Sequence, residues 1–136
     1  MDKENYKGTI VIVEDNHLLS LVMGRVVEKL GYKVLAKALN GEDAIKKIKK
    51  HNPDIVLMDV SLDGGLDGIE TGYLLRTFSD VPIIYISGHS DSRNIARAGK
   101  TNYVDYLVKP ITHDDLVIPL NNAIQKGREY CINQAS

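Results

Sequence analysis

Three short apolar runs, rich in β-branched residues, constrain this chain more than any other feature. They are Thr9-Ile10-Val11-Ile12-Val13, Asp54-Ile55-Val56-Leu57-Met58-Asp59 and Pro82-Ile83-Ile84-Tyr85-Ile86-Ser87. Continuous apolar runs of this length, without polar alternation, suit parallel strands covered on both faces. Two weaker strand candidates are Lys33 to Ala38 and Val104 to Lys109. In the first, Val34, Ala36 and Ala38 alternate with Lys33, Leu35 and Lys37. Lysines on one face suit an edge strand that must resist pairing with another chain.

Helical patterns separate these runs. His17 to Leu30 carries Leu18, Leu19, Val22, Val26 and Leu30 at helical spacing, and Gly31 is a good stop. Glu42 to Lys50 places Ala44, Ile45 and Ile48 on one side and Lys46, Lys47, Lys49 and Lys50 on the other, which reads as a solvated helix face. Gly68 to Phe78 and Ser92 to Ala98 follow. The last pattern starts from Thr112 as N-cap, with Asp114 and Asp115 favourable in its first turn. Pro119 is expected to kink that helix or to delay its regular start.

Strands alternating with helices imply an α/β fold, a doubly wound parallel sheet with helices on both faces. Right-handed crossovers leave few topologies. In such sheets the site lies outside the carboxyl ends of the strands, at a topological switch point. The residues that end the strands are Glu14 and Asp15, Asp59, Ser87 and Lys109.

Composition narrows the function classes. The 136 residues favour one domain, with 1–8 as an N-terminal extension, 9–126 as the folded unit and 127–136 as a tail. Lys plus Arg number 17 against 18 Asp plus Glu. That balance gives no electrostatic footprint for nucleic acid or an anionic membrane, so neither is expected as a partner. Cys131 is the single cysteine, which excludes an internal disulfide. With no signal-peptide pattern and no bilayer-spanning apolar run, the expected location is the cytoplasm.

Taken singly, each strand-end residue has an ordinary explanation as a turn, a cap or a strand exit. Their convergence is what carries the chemistry. The fold gathers three carboxylates beside a lysine and a hydroxyl, and clustered like charges are costly unless something offsets them. A divalent cation supplies that offset. Oxygen ligands without His or Cys favour a hard ion such as Mg²⁺. His17, His51, His89 and His113 have no zinc-like spacing.

The segments Val13-Glu14-Asp15, Val56-Leu57-Met58-Asp59, Ile84-Tyr85-Ile86-Ser87-Gly88 and Asp105-Tyr106-Leu107-Val108-Lys109-Pro110 stand in one order at characteristic intervals. In them the chain resembles the receiver domain of two-component response regulators, from about Thr9 to Lys126. The resemblance implies a flavodoxin-like (βα)5 fold with strand order 2-1-3-4-5. It implies that Asp59 accepts a phosphoryl group from a histidine kinase or a histidine phosphotransfer protein. Asp15, Asp59 and the Ser61 carbonyl would ligate Mg²⁺, with Mn²⁺ as the alternative, and Glu14 would act through bound water. Lys109 would pair with a phosphoryl oxygen. Ser87 would sense the phosphate and Tyr106 would turn in response, changing the surface offered to a downstream protein. Such a protein catalyses only its own phosphorylation and dephosphorylation.

The resemblance also implies a cis Lys109-Pro110 bond and a role for His89 in phosphoryl lifetime. Glu14 stands where the family more often has Asp, and Ser87 where it often has Thr. The loop from Ser61 to Gly68 lacks the usual proline and is one residue longer. A stand-alone receiver is the first expectation, because no output domain follows Lys126. A receiver excised from a hybrid kinase or transcription factor is the second. An aspartate-nucleophile phosphohydrolase is disfavoured by Ser61, which occupies the place of the second Asp that those enzymes generally carry. A flavodoxin-like cofactor binder is disfavoured because acidic strand ends repel a phosphate.

Overall fold

The computed structural model describes residues 5–88 and 92–135. Its strands are β1 (Thr9–Val13), β2 (Lys33–Ala38), β3 (Ile55–Asp59), β4 (Ile83–Ser87) and β5 (Asp105–Val108). They alternate with helices α1 (His17–Lys29), α2 (Gly41–His51), α3 (Gly68–Leu75), α4 (Ser92–Gly99) and α5 (His113–Ala135). The sheet is fully parallel in the order β2-β1-β3-β4-β5. This is the flavodoxin-like arrangement, and it places the lysine-bearing β2 at an edge.

The apolar runs are continuous because each strand feeds two cores. Val11, Val13, Val56, Met58, Ile83 and Tyr85 pack with Ala44, Ile48, Ile69, Leu75 and Ala98 of α2, α3 and α4. Ile10, Ile12, Ile55, Leu57, Ile84 and Ile86 pack with Val27 of α1 and with Leu116, Leu120 and Ala123 of α5. Every residue of β3 and β4 is buried, each large side chain contributing about 1.5–3 kcal/mol. Among the described residues no helix is long and apolar enough to cross a membrane.

Local signals set most boundaries. Asn16 and Asn40 accept from the amides of Leu19 and Asp43 and so cap α1 and α2. After α1 the chain turns through Gly31 at φ +99°, a left-handed conformation that glycine adopts without strain. Asp67 opens α3 with a reciprocal capping box to Glu70.

Two helix ends differ from expectation. α3 stops at Leu75 instead of reaching Phe78. The Thr77 hydroxyl takes the Leu74 carbonyl at 2.6 Å, and the Thr77 and Phe78 amides reach only three residues back. The Arg76 side chain meanwhile binds the carbonyls of Ser79, Val81 and Thr101 at 2.6–3.2 Å, drawing the chain into the turn toward β4. At the other end, α5 starts at His113 and carries Pro119 inside it, so the proline does not delay the helix. It then continues to Ala135, through the residues expected to form a tail.

α3 opens in close contact with the end of β3 through Gly68. Its amide donates to the Val60 carbonyl at 2.9 Å, and a Cβ there would collide with the backbone carbonyl of Asp59. Gly68→Ala is therefore expected to cost about 1–3 kcal/mol through forced displacement of the backbone. Urea unfolding of the two proteins measures this, and an unchanged midpoint would refute the close packing.

Candidate functional site

The parallel register brings the strand ends to one rim. Met58 lies beside Val13, Asp59 beside Ile86, and Ser87 beside Val108. The residues that follow β1 and β5 are therefore neighbours of the end of β3. The amide of Glu14 donates to Ala38, that of Val60 to Ile86 and that of Lys109 to Ser87, all at 2.7–3.0 Å. These bonds extend the ladders past the strands and fix where the side chains leave the sheet.

Glu14 and Asp59 are buried, and Asp15 is half-buried at the rim. One carboxylate oxygen from each lies within 4.8 Å of the other two. The Lys109 ammonium sits 3.1 Å from Glu14 Oε1 and 3.5 Å from Asp59 Oδ2. Backbone amides hold the other oxygens: Asn16 donates to Glu14 Oε2 at 3.1 Å, and Ser61 to Asp59 Oδ1 at 3.1 Å. Asp63 donates to Asp15 Oδ2 at 3.4 Å.

The crowding shows in the proton affinities. Burial is the main cause that pushes Glu14 up to about 7; the Asn16 amide opposes it, and the neighbouring carboxyls of Asp59 and Asp15 add to it. Asp15 is held below its usual value: its burial acts upward and is outweighed by hydrogen bonding with Glu14 and Asp63. For Lys109, burial acts downward and is outweighed by Glu14 and Asp59, so its pKa is raised.

An all-oxygen cluster with one nearby cation is a fit for a hard divalent ion. Three carboxylates against one ammonium leave excess negative charge, two of the acids are buried, and no His or Cys belongs to the group. The acidic pocket is thus able to bind a divalent metal.

The remaining expected residues fall around it. Ser87 ends β4 and is buried. Ser61 is exposed, with its amide committed to Asp59. The Lys109-Pro110 bond is cis. Tyr106 is half-buried, its ring 6.1 Å from Tyr85 and 6.3 Å from Tyr103. Its hydroxyl is buried without a hydrogen-bond partner among the described residues. His89 lies outside the described residues.

Some contacts had no place in the sequence reading. The Asp63 amide on Asp15 is one, and the Arg97–Asp67 ion pair at 3.0 Å is another. The D-x-x-E pattern of Asp67 and Glu70 signals the cap of α3, but nothing in it points to Arg97. A cavity of about 660 Å³ lies at the opposite rim, between the starts of β3 and β4 and the far part of α5. It holds none of the acidic cluster.

Comparison with known proteins agrees with this geometry. A model of the response regulator receiver domain matches residues 10–121. The transcriptional regulatory protein PdtaR of Mycobacterium tuberculosis is 28% identical over 120 residues, covering 88% of this chain and 58% of that protein. The chemotaxis protein CheY of Thermotoga maritima is 30% identical over 114 residues, covering 82% of this chain and 93% of that one. The chain thus spans about half the length of several curated transcriptional regulators it matches. A solved signal receiver domain of a modulated diguanylate cyclase from Desulfovibrio desulfuricans G20 superposes with a TM-score of 0.84 at 36% identity. That superposition covers 90% of this chain and 98% of that one. With the fold, the acidic rim and the family match over most of its length, the chain belongs to the response regulator receiver domain family.

Proposed function

We propose that Asp59 is the phosphoryl acceptor of this receiver, and that a histidine kinase or histidine phosphotransfer protein is the donor. The observation that supports it is the Asp59 carboxylate, buried at a strand end beside Glu14 and Asp15 with the Lys109 ammonium 3.5 Å away. An Asp59 oxygen attacks phosphorus, the new O–P bond forms as the P–N bond to the donor imidazole breaks, and the electron pair returns to the ring nitrogen. No proton has to leave the nucleophile first. Lys109 then exchanges its carboxylate contacts for a phosphoryl oxygen, a charge-assisted pairing.

Asp15, Asp59 and the Ser61 carbonyl are the proposed holders of Mg²⁺ (or Mn²⁺), with Glu14 acting through bound water. The ion would offset repulsion between the incoming phosphoryl group and the carboxylates. Ser87 is proposed to donate its hydroxyl to the phosphate. Tyr106, whose hydroxyl is buried without a hydrogen-bond partner among the described residues, is proposed to change position in response and alter the face offered to a downstream protein. On this reading residues 9–126 form the receiver unit, it works in the cytoplasm, and it turns over no substrate beyond its own phosphoryl group. Output comes from a protein contact of the receiver alone or from a longer regulator that contains it.

Incubation with Mg²⁺ and a small phosphodonor, followed by intact mass, is expected to show one added phosphoryl group on the wild type and none on Asp59→Asn. An equal adduct on the variant would refute the assignment. Chelating the metal with EDTA is expected to abolish the reaction, with recovery on adding Mg²⁺. Lys109→Ala is expected to slow phosphorylation roughly 100-fold, the scale for loss of one preorganised charge-stabilising group. A rate within twofold of wild type would count against its role.

A further inference from the structure

Helix α4 is anchored differently from its neighbours. It buries one side chain, Ala98, whereas α3, of equal length, buries five residues. Helices with so little apolar anchoring open at low free-energy cost. Polar ties supplement this packing, and among the described residues several of them hold its C-terminal end. The Tyr73 hydroxyl of α3 donates to the Arg97 carbonyl at 2.7 Å. The Thr101 hydroxyl donates to the Ala98 carbonyl at 2.6 Å and itself accepts from the Tyr85 hydroxyl at 2.8 Å.

A further tie points toward the acidic rim. Arg97 Nη2 pairs with Asp67 Oδ2 at 3.0 Å, while Nη1 donates to Asn94 Oδ1 at 3.0 Å and so orients the guanidinium. Asp67 is no ordinary surface acid. Its other oxygen caps α3 through the Glu70 amide at 2.8 Å. The next residue, Gly68, packs on the Asp59 carbonyl and bonds to Val60. One short covalent and hydrogen-bonded path therefore runs from Asp59 through Gly68 and Asp67 to the weakly anchored helix.

We propose that the Arg97–Asp67 ion pair is a latch that ties α4 to the acceptor loop and opposes the change brought by occupancy of Asp59. This rests on Asp59 being the acceptor. If the pair stabilises the unoccupied state, breaking it lowers the cost of leaving that state and tightens binding at Asp59 by the same factor. Arg97 and Asp67 keep 41% and 29% of their side-chain surface exposed, which limits the effect to a few-fold.

The probe is beryllofluoride, an acyl-phosphate mimic, titrated with Mg²⁺ into the full chain by calorimetry. Asp67→Asn removes the charge and keeps a capping oxygen, because Asn caps as well as Asp. Arg97→Gln removes the other charge with little change in helix propensity. Each is expected to raise affinity about threefold, and the double variant no further than either single, since one interaction is lost in all three. Asp43→Asn breaks the comparably exposed Lys47–Asp43 pair and is expected to bind as the wild type does. Single variants with wild-type or weaker affinity, or a double variant whose effects multiply to about ninefold, would overturn the latch. A wild type that binds no beryllofluoride, or an Asp59→Asn protein that binds it equally, would overturn the acceptor assignment and the latch with it.

Discussion

The Lys109 ammonium between Glu14 and Asp59 is the contact on which the site depends. Two buried carboxylates so close together repel strongly, and burial has already pushed one of them up to about 7. A single cation 3.1 Å from one and 3.5 Å from the other makes the arrangement tolerable. It also leaves the arrangement incomplete, since Asp15 brings a further negative charge. A buried ion pair of this kind is weak evidence of stability, because desolvation consumes most of its Coulombic gain. Its value lies in what it keeps in place: a fixed cation, a fixed carboxylate and room for added positive charge. Everything in the fold that bears on the site serves to hold those strand ends in register.

The sheet was legible because burial on both faces leaves little choice of residue. A strand such as Ile55–Asp59, covered from both sides, has to be apolar until it ends, so the point where polarity returns marks the rim. The same logic made Glu14, Asp15, Asp59 and Lys109 readable as neighbours. Side-chain commitments at helix ends were less legible. Nothing in the local pattern says that Arg76 turns back onto the carbonyls of Ser79, Val81 and Thr101, which lie in two different loops. That is a tertiary contact overriding a helical pattern that continues to Phe78. Pro119 posed the opposite case: its ring is buried in α5, and packing keeps the helix going where propensity alone argued for a break.

The free-state role of Lys109 was also out of reach. A lysine at a strand end, taken with the family resemblance, points to a phosphate, but the sequence does not reveal that Glu14 and Asp59 hold it beforehand. The longer loop after Asp59 likewise gave no hint of its own ties. Its Asp63 amide reaches Asp15 and its Asp67 carboxylate reaches α4, so charged groups hold the segment on either side of Gly64 and Gly65.

The winding of the chain has one more effect. With all strands parallel and every crossover helical, each helix begins at the rim where the strands end. α1 begins just past Asp15, and α3 begins after a loop, at Gly68, which packs back against the Asp59 backbone. Helix N-termini bear partial positive charge. The topology that crowds the acids together therefore also brings the positive ends of helices to the same rim, a property of the backbone that no single side-chain replacement removes.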